Sequence, residues 1–306
     1  CSYPMLTRSR PLTPSPHLSL PAATRAGLAL TALVAIAVLW TASCGGGSDF
    51  VVGATTSIQD TDLLDVLTEA FRDESGYDVA TVTPIVAGSG QILDLARRGE
   101  VDAVITHSPQ AEGQLIADGD GVDRREIMQN FFVLVGPPDD PAGVRSALST
   151  AEAFKRIAAA DSMFISRGDN SGTHVRELSH WRQAGIDPTG LSWYQESGAG
   201  QGQSLLLTSD RAAYTLVDSS TFTVFQDRLD LEPLVLDEEP NQYSIIRVNP
   251  EKHSVNETAA LAFAEYLTSP AAQRIIAEFG SERYGEPLFI PNAAATGIEP
   301  SASPES

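Results

Sequence analysis

Between residues 166 and 174 the chain reads Ser166-Arg167-Gly168-Asp169-Asn170-Ser171-Gly172-Thr173-His174, which gathers a cation, three hydroxyls and two glycines on one short segment. Asp161 to Ile165, just before it, has the composition of a short strand. Val175 to Ala184, just after it, has helical periodicity and stops at Gly185. The segment is therefore a strand-to-helix turn. A helix start carries unpaired N–H groups and about half a positive charge, so a small anion docked there gains hydrogen bonds and a favourable dipole. Arg167 adds a planar fork of donors that stays charged at any working pH. A plainer reading is that Ser171 caps the helix, Asp169 neutralises Arg167 and the glycines serve the turn. Arg167-Gly168-Asp169 also spells an adhesion tripeptide, but three letters recur by chance.

Three further turns repeat the pattern. Thr55-Thr56-Ser57 follows the first strand-like run, Ala87-Gly88-Ser89-Gly90-Gln91 lies between a strand and a helix, and Ser197-Gly198-Ala199-Gly200-Gln201-Gly202-Gln203-Ser204 opens another helix. In the second of these the glycines let backbone amides face a ligand and Ser89 adds a hydroxyl. Its G-x-G is not a dinucleotide fingerprint, because Leu93 stands where the last glycine belongs. Ligands of open α/β sheets collect beyond the carboxyl ends of the strands, where all four turns fall. Together they point to a cleft that closes on an oxyanion.

The elements that must position these turns alternate. Strands are expected at Phe50 to Ala54, Val79 to Val86, Val101 to Thr106 and Phe131 to Val135, with helices at Thr61 to Phe71 and Gln91 to Arg98. That order predicts a largely parallel sheet covered on both faces. Gly136 to Pro141 interrupts it. A second set follows: helices over Ala151 to Ala160, from Thr173 and near Ser204 to Thr208, with strands around Phe164, near Trp193-Tyr194 and at Ala212 to Val217. From about Leu231 the chain returns, with strands Pro233 to Leu236 and Tyr243 to Val248 and helices Glu257 to Thr268 and Pro270 to Phe279. The expected fold class is α/β in two lobes. Residues 50–135 with about 225–290 form lobe 1, and residues 136–224 form lobe 2.

Residues 1–43 carry Arg8, Arg10 and Arg25, no acidic residue, and an apolar run from Ala26 to Trp40 that ends in Thr41-Ala42-Ser43-Cys44. A basic region, a short apolar stretch and small residues before a cysteine form a secretory signal pattern. The cysteine makes it similar to a bacterial lipoprotein signal, so Cys44 is expected to be lipidated and residues 44–49 to act as a tether. The expected location is extracytoplasmic, anchored to the cell membrane. With Cys1 in the leader, Cys44 is the one cysteine left, and neither an internal disulfide nor a cysteine metal site is expected. Residues 291–306, rich in Ala, Ser and Pro, read as a disordered tail. Net charge is −20, and more negative without the leader arginines, which argues against nucleic acid and anionic lipid as partners. It does not argue against a small anion held by donors in a desolvated pocket, because exposed charges are screened beyond about 8 Å.

On these residues the sequence resembles the tungstate-binding proteins that deliver the oxyanion to ABC importers, a group within the bacterial type II periplasmic solute-binding proteins. The resemblance runs from about Phe50 to Phe289. It is most specific at Thr55-Thr56-Ser57, Gly88-Ser89-Gly90-Gln91, Ser166 to Asp169 with Ser171 to His174, and Asp210 to Asp218. It implies two lobes joined by a hinge, an ABC permease as partner, a monomer, no cofactor and no protein-ligated metal cation. Carried over by position, the ligand contacts are Thr55, Thr56, Ser57, Ser89, Arg167, Ser171, Gly172 and Thr173. The chain departs from the family at Ala54, where a further Thr is frequent, and at Ser89, where Thr is common. Tungstate and molybdate carry no proton at neutral pH and want donors only, whereas phosphate keeps a proton and rewards a buried acceptor. Molybdate, sulfate and phosphate remain alternative ligands, and an oxyanion-sensing lipoprotein an alternative role. A serine hydrolase is disfavoured: Gly168 to Gly172 is not G-x-S-x-G, and His174 lies along the same helix as Ser171. His107, His180 and His253 show no metal-ligand spacing. His174 is expected to be a surface or supporting residue, and Asp237-Glu238-Glu239 a solvated acidic loop.

Overall fold

The computed structural model describes residues 49–74 and 82–292. The expected leader, Cys44, most of the tether and nearly all of the tail lie outside the described residues. The chain opens with β1 (Phe50–Thr55), α1 (Thr56–Asp60), α2 (Leu63–Glu74), β2 (Val82–Ala87), α3 (Ser89–Arg97), β3 (Ala103–Thr106), α4 (Pro109–Ala117) and β4 (Gly121–Gly136). It continues with α5 (Thr150–Ala159), β5 (Phe164–Ser166), α6 (Gly172–Ala184), β6 (Tyr194–Glu196), α7 (Gln201–Asp210), β7 (Thr215–Asp218) and α8 (Ser219–Phe225). It closes with β8 (Glu232–Val248), α9 (Glu257–Leu267), α10 (Pro270–Glu278), α11 (Ser281–Tyr284) and β9 (Ile290–Pro291).

Most expected elements form within a few residues of their predicted bounds, and α6 ends at Gly185 in the left-handed conformation. Val79 to Thr81 of the second expected strand lie outside the described residues. Two departures bear on the site. The first is Asp62, whose φ of 67° ends α1 and separates it from α2, so that the helix expected from Thr61 has its own short helix before it. The second is the sheet, which is mixed rather than largely parallel. Its order is β2-β1-β3-β8-β4-β7, with β9 beside β4. β1 is parallel to β2 and β3, but β8 runs antiparallel to β3 and β4, and β4 antiparallel to β7. The cause is that β4 and β8 are single long strands paired with each other, of 16 and 17 residues. Their middles hold Asn130, Asp237 and Asn241, buried polar residues that interrupt the apolar alternation a strand is read from. Register shifts along the pair, one between Phe131 and Val133, break the period further.

The core residues fall in two groups along these long strands. One group, drawn from both ends of the chain, covers the two faces of β1, β3 and the second half of β8. Phe50, Phe71, Phe263 and Phe289 lie on one face, and Ile92, Leu93, Val104 and Ile246 on the other. The second group covers β4 and β7, with Phe154, Phe164, Trp181 and Tyr214 on one face and Leu205, Val217 and Phe222 on the other. Phe263 meets Phe50 and Phe71 edge-on, with ring centroids 5.3 and 5.1 Å away. Phe263→Ala is therefore expected to cost about 3–5 kcal/mol of stability. Leu148→Ala, at a side chain 93 % exposed, should stay within about 0.5 kcal/mol. Urea unfolding of the two variants measures the contrast.

Candidate functional site

The four turns singled out by residue type meet in space. A Cβ placed on Gly88, before α3, would lie 3.2 Å from Asp169 Oδ2 and 3.4 Å from Ser171 Cβ, before α6. One on Gly90 would come within 3.0 Å of the Asn170 carbonyl. The turn before α1 meets the turn before α7, because Thr56 Cγ2 is 3.7 Å from a Cβ at Gly200 and the Gly202 amide donates to Asp60 Oδ2 at 3.2 Å. Gly172 is pressed against the His107 carbonyl, where a Cβ would sit 2.5 Å away, so that position admits no side chain. Strands β1, β2 and β5 and the chain before α7 thus deliver four helix starts to one place.

Two of those helix starts leave their amides open, and in a third, α7, the Gly202 amide is taken by Asp60. Thr55, Gly88 and Gly200 precede α1, α3 and α7 and make no side-chain cap. By contrast Ser149, Asn256 and Ser269 cap α5, α9 and α10. Uncapped first-turn N–H groups from several helices, aimed at one spot, suit an anion.

Arg167 is buried among them. Its Nη1 donates to Gln201 Oε1 at 3.0 Å, its Nη2 pairs with Asp169, and its Nε has no hydrogen-bond partner among the described residues. Asp169 also accepts from the Ser171 amide at 3.1 Å, which fixes the turn. Gln201 in turn reaches the Leu216 carbonyl through Nε2 at 3.4 Å. A buried guanidinium with five donors, two of them committed to these partners, retains donors for an anion.

The hydroxyls divide by what they already bond. Ser89 Oγ and Thr173 Oγ1 are buried with no partner among the described residues. Thr55 Oγ1 and Ser57 Oγ are 3.2 Å apart, and Ser57 Oγ is 2.9 Å from the Tyr243 hydroxyl. Ser171 Oγ accepts from the His174 amide at 3.3 Å, so it does cap α6. Thr56 is half-buried. Of the three hydroxyls on the central segment, Ser166 faces away, donating to Glu177 Oε2 at 2.6 Å. The plain reading of Asp169 and Ser171 thus holds locally, yet it leaves Arg167 Nε, Ser89 Oγ and Thr173 Oγ1 buried and unsatisfied. Each such group costs about 1–3 kcal/mol, which an accepting ligand would recover.

Several residues of this neighbourhood carried no signal in sequence. Gln201 sits in a glycine-rich turn whose serines are better known donors, yet Ser197 and Ser204 bond each other at 2.8 Å and Gln201 holds the arginine. His174 is buried rather than at the surface. Its Nδ1 accepts from the Asn170 amide at 3.1 Å, and burial lowers its pKa, so it acts as a neutral brace of the turn. Asp237 belongs to no solvated loop. It is buried against Arg176 and His180, which hold its carboxyl well below the usual range although burial pushes the other way. Burial, reinforced by Asp218, raises Asp60 to about 6, against the Gly202 amide and Arg167. A separate pocket of about 310 Å³, lined by His107, Phe132, Gly172, Arg176, Arg182 and Glu239, does not include Ser89, Arg167 or Thr173.

The chain is similar to known proteins. A family model described as a PBP superfamily domain matches residues 32–271. The chain is 40% identical over 249 residues to the tungstate-binding protein TupA of Peptoclostridium acidaminophilum, covering 80% of this chain and 86% of that protein. Among solved structures, the tungstate ABC transporter structure from Geobacter sulfurreducens is 41% identical, with a TM-score of 0.68 over 76% of this chain and 98% of that one. The tungstate-binding protein TupA from Desulfovibrio alaskensis G20 is 34% identical, with a TM-score of 0.66 over 80% and 99%.

Beneath the site lies a titrating group. Glu177 is buried and accepts from Ser166, from Trp181 Nε1 at 3.0 Å and from the Tyr194 hydroxyl at 2.8 Å. Burial raises its pKa from 4.5 to about 7, despite those three donors. A carboxyl raised in the folded state contributes stability that is complete below about pH 4.5 and is lost as pH rises through about 7. Glu177→Gln imitates the protonated form. Its stability relative to wild type should therefore improve from pH 5 to pH 8, by on the order of 2 kcal/mol. Urea midpoints at both pH values test this; a difference independent of pH means that Glu177 keeps one charge state throughout.

Proposed function

The chain belongs to the PBP superfamily, in the family of the TupA tungstate-binding proteins, and on that premise we propose that it captures tungstate outside the cytoplasm and presents it to an ABC transporter permease. The observation that carries this reading is the trio Arg167 Nε, Ser89 Oγ and Thr173 Oγ1, buried without partners among the described residues on turns that meet one another. All three can donate. A tetrahedral dianion with no proton supplies only acceptors, so its oxygens match such a set, and uncapped amides of α1 and α3 extend it. One fixed cation matters more than any single neutral donor, because a dianion is costly to remove from water and neutral groups offset only part of that cost.

In this reading the contacts are Thr55, Thr56, Ser57, Ser89, Arg167, Ser171, Gly172 and Thr173. Residues 50–135 with about 225–290 act as one lobe and 136–224 as the other, and ligand holds them together through contacts made only when they close. Two groups of core residues along β4 and β8 support a two-part division, with the second group also taking in Phe132 to Val135, Leu231 and Leu234 from outside 136–224. The protein works as a monomeric binding protein, not an enzyme, tethered through lipid on Cys44. Cys44→Ala should then lose metabolic fatty-acid label, and retained label would end that part of the reading.

Calorimetric titration with tungstate, molybdate, sulfate and phosphate tests the function. Tungstate should bind most tightly. Arg167→Ala should abolish measurable binding, and Arg167→Lys, which keeps the charge but loses the planar fork, should lose roughly ten- to a hundredfold. Thr173→Ala removes one neutral donor and should lose about tenfold. Tungstate binding within threefold of wild type in Arg167→Ala would show that this arginine serves only Asp169 and Gln201.

A further inference from the structure

Behind Thr55 and Ser57 a chain of buried side chains runs across the two long strands. It begins at Asp218, the side-chain cap of α8. That carboxylate accepts from the Thr221 amide at 2.9 Å, from Thr221 Oγ1 at 2.8 Å and from Ser220 Oγ at 2.5 Å. An acceptor surrounded by donors fixes the direction of what comes next. Asn130 on β4 gives it Nδ2, at 3.1 Å, and so turns Oδ1 toward β8. There Asn241 Nδ2 donates to Asn130 Oδ1 at 2.7 Å and to the Tyr243 hydroxyl at 3.2 Å, while its Oδ1 lies 2.8 Å from His107 Nδ1. The Tyr243 oxygen therefore accepts from Asn241. Its own proton is left for Ser57 Oγ, 2.9 Å away.

The polarity carries through to the site. Ser57 accepts from Tyr243, so its own hydroxyl proton can go only outward, to Thr55 Oγ1 at 3.2 Å or into the space between the turns. If Ser57 donates to Thr55, the Thr55 proton is freed instead. In both arrangements the pair presents a donor, and one of the two lone pairs of Ser57 Oγ is already occupied by the Tyr243 proton.

We infer that Tyr243 is a positioning and specificity-determining residue, which acts through Ser57 to make the Thr55–Ser57 pair a donor and so favours oxyanions without a proton. This rests on the reading of the protein as an oxyanion-binding protein and adds to it a residue that does not itself touch ligand. The ring of Tyr243 stacks on His107 at 4.8 Å and meets Phe289 edge-on at 5.7 Å, contacts that Phe would keep. Tyr243→Phe thus removes the relay and retains the packing. Without it nothing directs the Ser57 proton outward and both Ser57 lone pairs are free, which costs affinity for tungstate and eases acceptance from phosphate, which carries a proton at neutral pH.

The test is a double-mutant cycle on the intact protein, with tungstate affinity measured by calorimetry for wild type, Tyr243→Phe, Ser57→Ala and the pair. Tyr243→Phe is expected to lose about tenfold, the double variant to bind no more weakly than Ser57→Ala, and excess phosphate to displace tungstate from Tyr243→Phe more readily than from wild type. Losses that multiply in the double variant, or wild-type affinity in Tyr243→Phe, overturn the inference while leaving tungstate binding by the wild-type protein intact. A wild-type protein that binds no oxyanion overturns the functional reading and this one with it. Should Tyr243→Phe fail to fold, Asn241→Leu takes its place in the cycle: it removes the donor to the phenol and leaves the phenol oxygen free to accept from Ser57 instead, so the same loss, absent on the Ser57→Ala background, is expected.

Discussion

Arg167 is buried in a protein of net charge −20, and a guanidinium withdrawn from water has to find its compensation in the fold. Asp169, two residues on, answers part of the charge, and Gln201, from another helix start, answers part of the geometry. The local conformation follows from this. Gly168 and Asn170 take φ of 65° and 57°, turning the chain so that Asp169 can reach both Arg167 and the Ser171 amide. The same turn starts α6 and sets Thr173 on its first turn. A buried cation, its acidic partner and an amide-rich helix start are thus three consequences of one bend.

The close approach of the turns depends on what is missing from them. Gly88, Gly90 and Gly172 sit where a Cβ would crowd Asp169, the Asn170 carbonyl or the His107 carbonyl. Glycine at these positions costs conformational entropy in folding, and the return is contact between backbones that side chains would hold apart. Gly88 also leaves α3 without a capping side chain, so the same residue that allows approach leaves amides open.

The long strands β4 and β8 connect the two groups of core residues, and at their middle apolar packing gives way to Asn130, Asn241 and Tyr243 joined to Asp218. A buried polar network is worth keeping only when every member is satisfied, and here each amide finds both donor and acceptor. His107, stacked on Tyr243, is held below its ordinary pKa by burial, so no second charge competes with Arg167 from that side.

The sequence by itself determined the local features: the strand-to-helix turns at Thr55, Gly88, Arg167 and Gly200, the cap at Ser171, the stop at Gly185 and the α/β alternation. Those follow from propensity, periodicity and turn chemistry over a few neighbouring residues. It also singled out Arg167, Ser89 and Thr173, because hydroxyls and a cation at a helix start are unusual enough to notice. Only the tertiary structure decided the sense of the sheet, since β4 and β8 pair residues about a hundred or more positions apart and their polar centres mask the strand period. Separation in sequence, 34 positions for Gln201 and Arg167 and 186 for Tyr243 and Ser57, hid these partners from each other. Neither glutamine nor tyrosine has a spacing that announces its role; each acquires one when a fold brings it against a hydroxyl or a guanidinium that has nowhere else to bond.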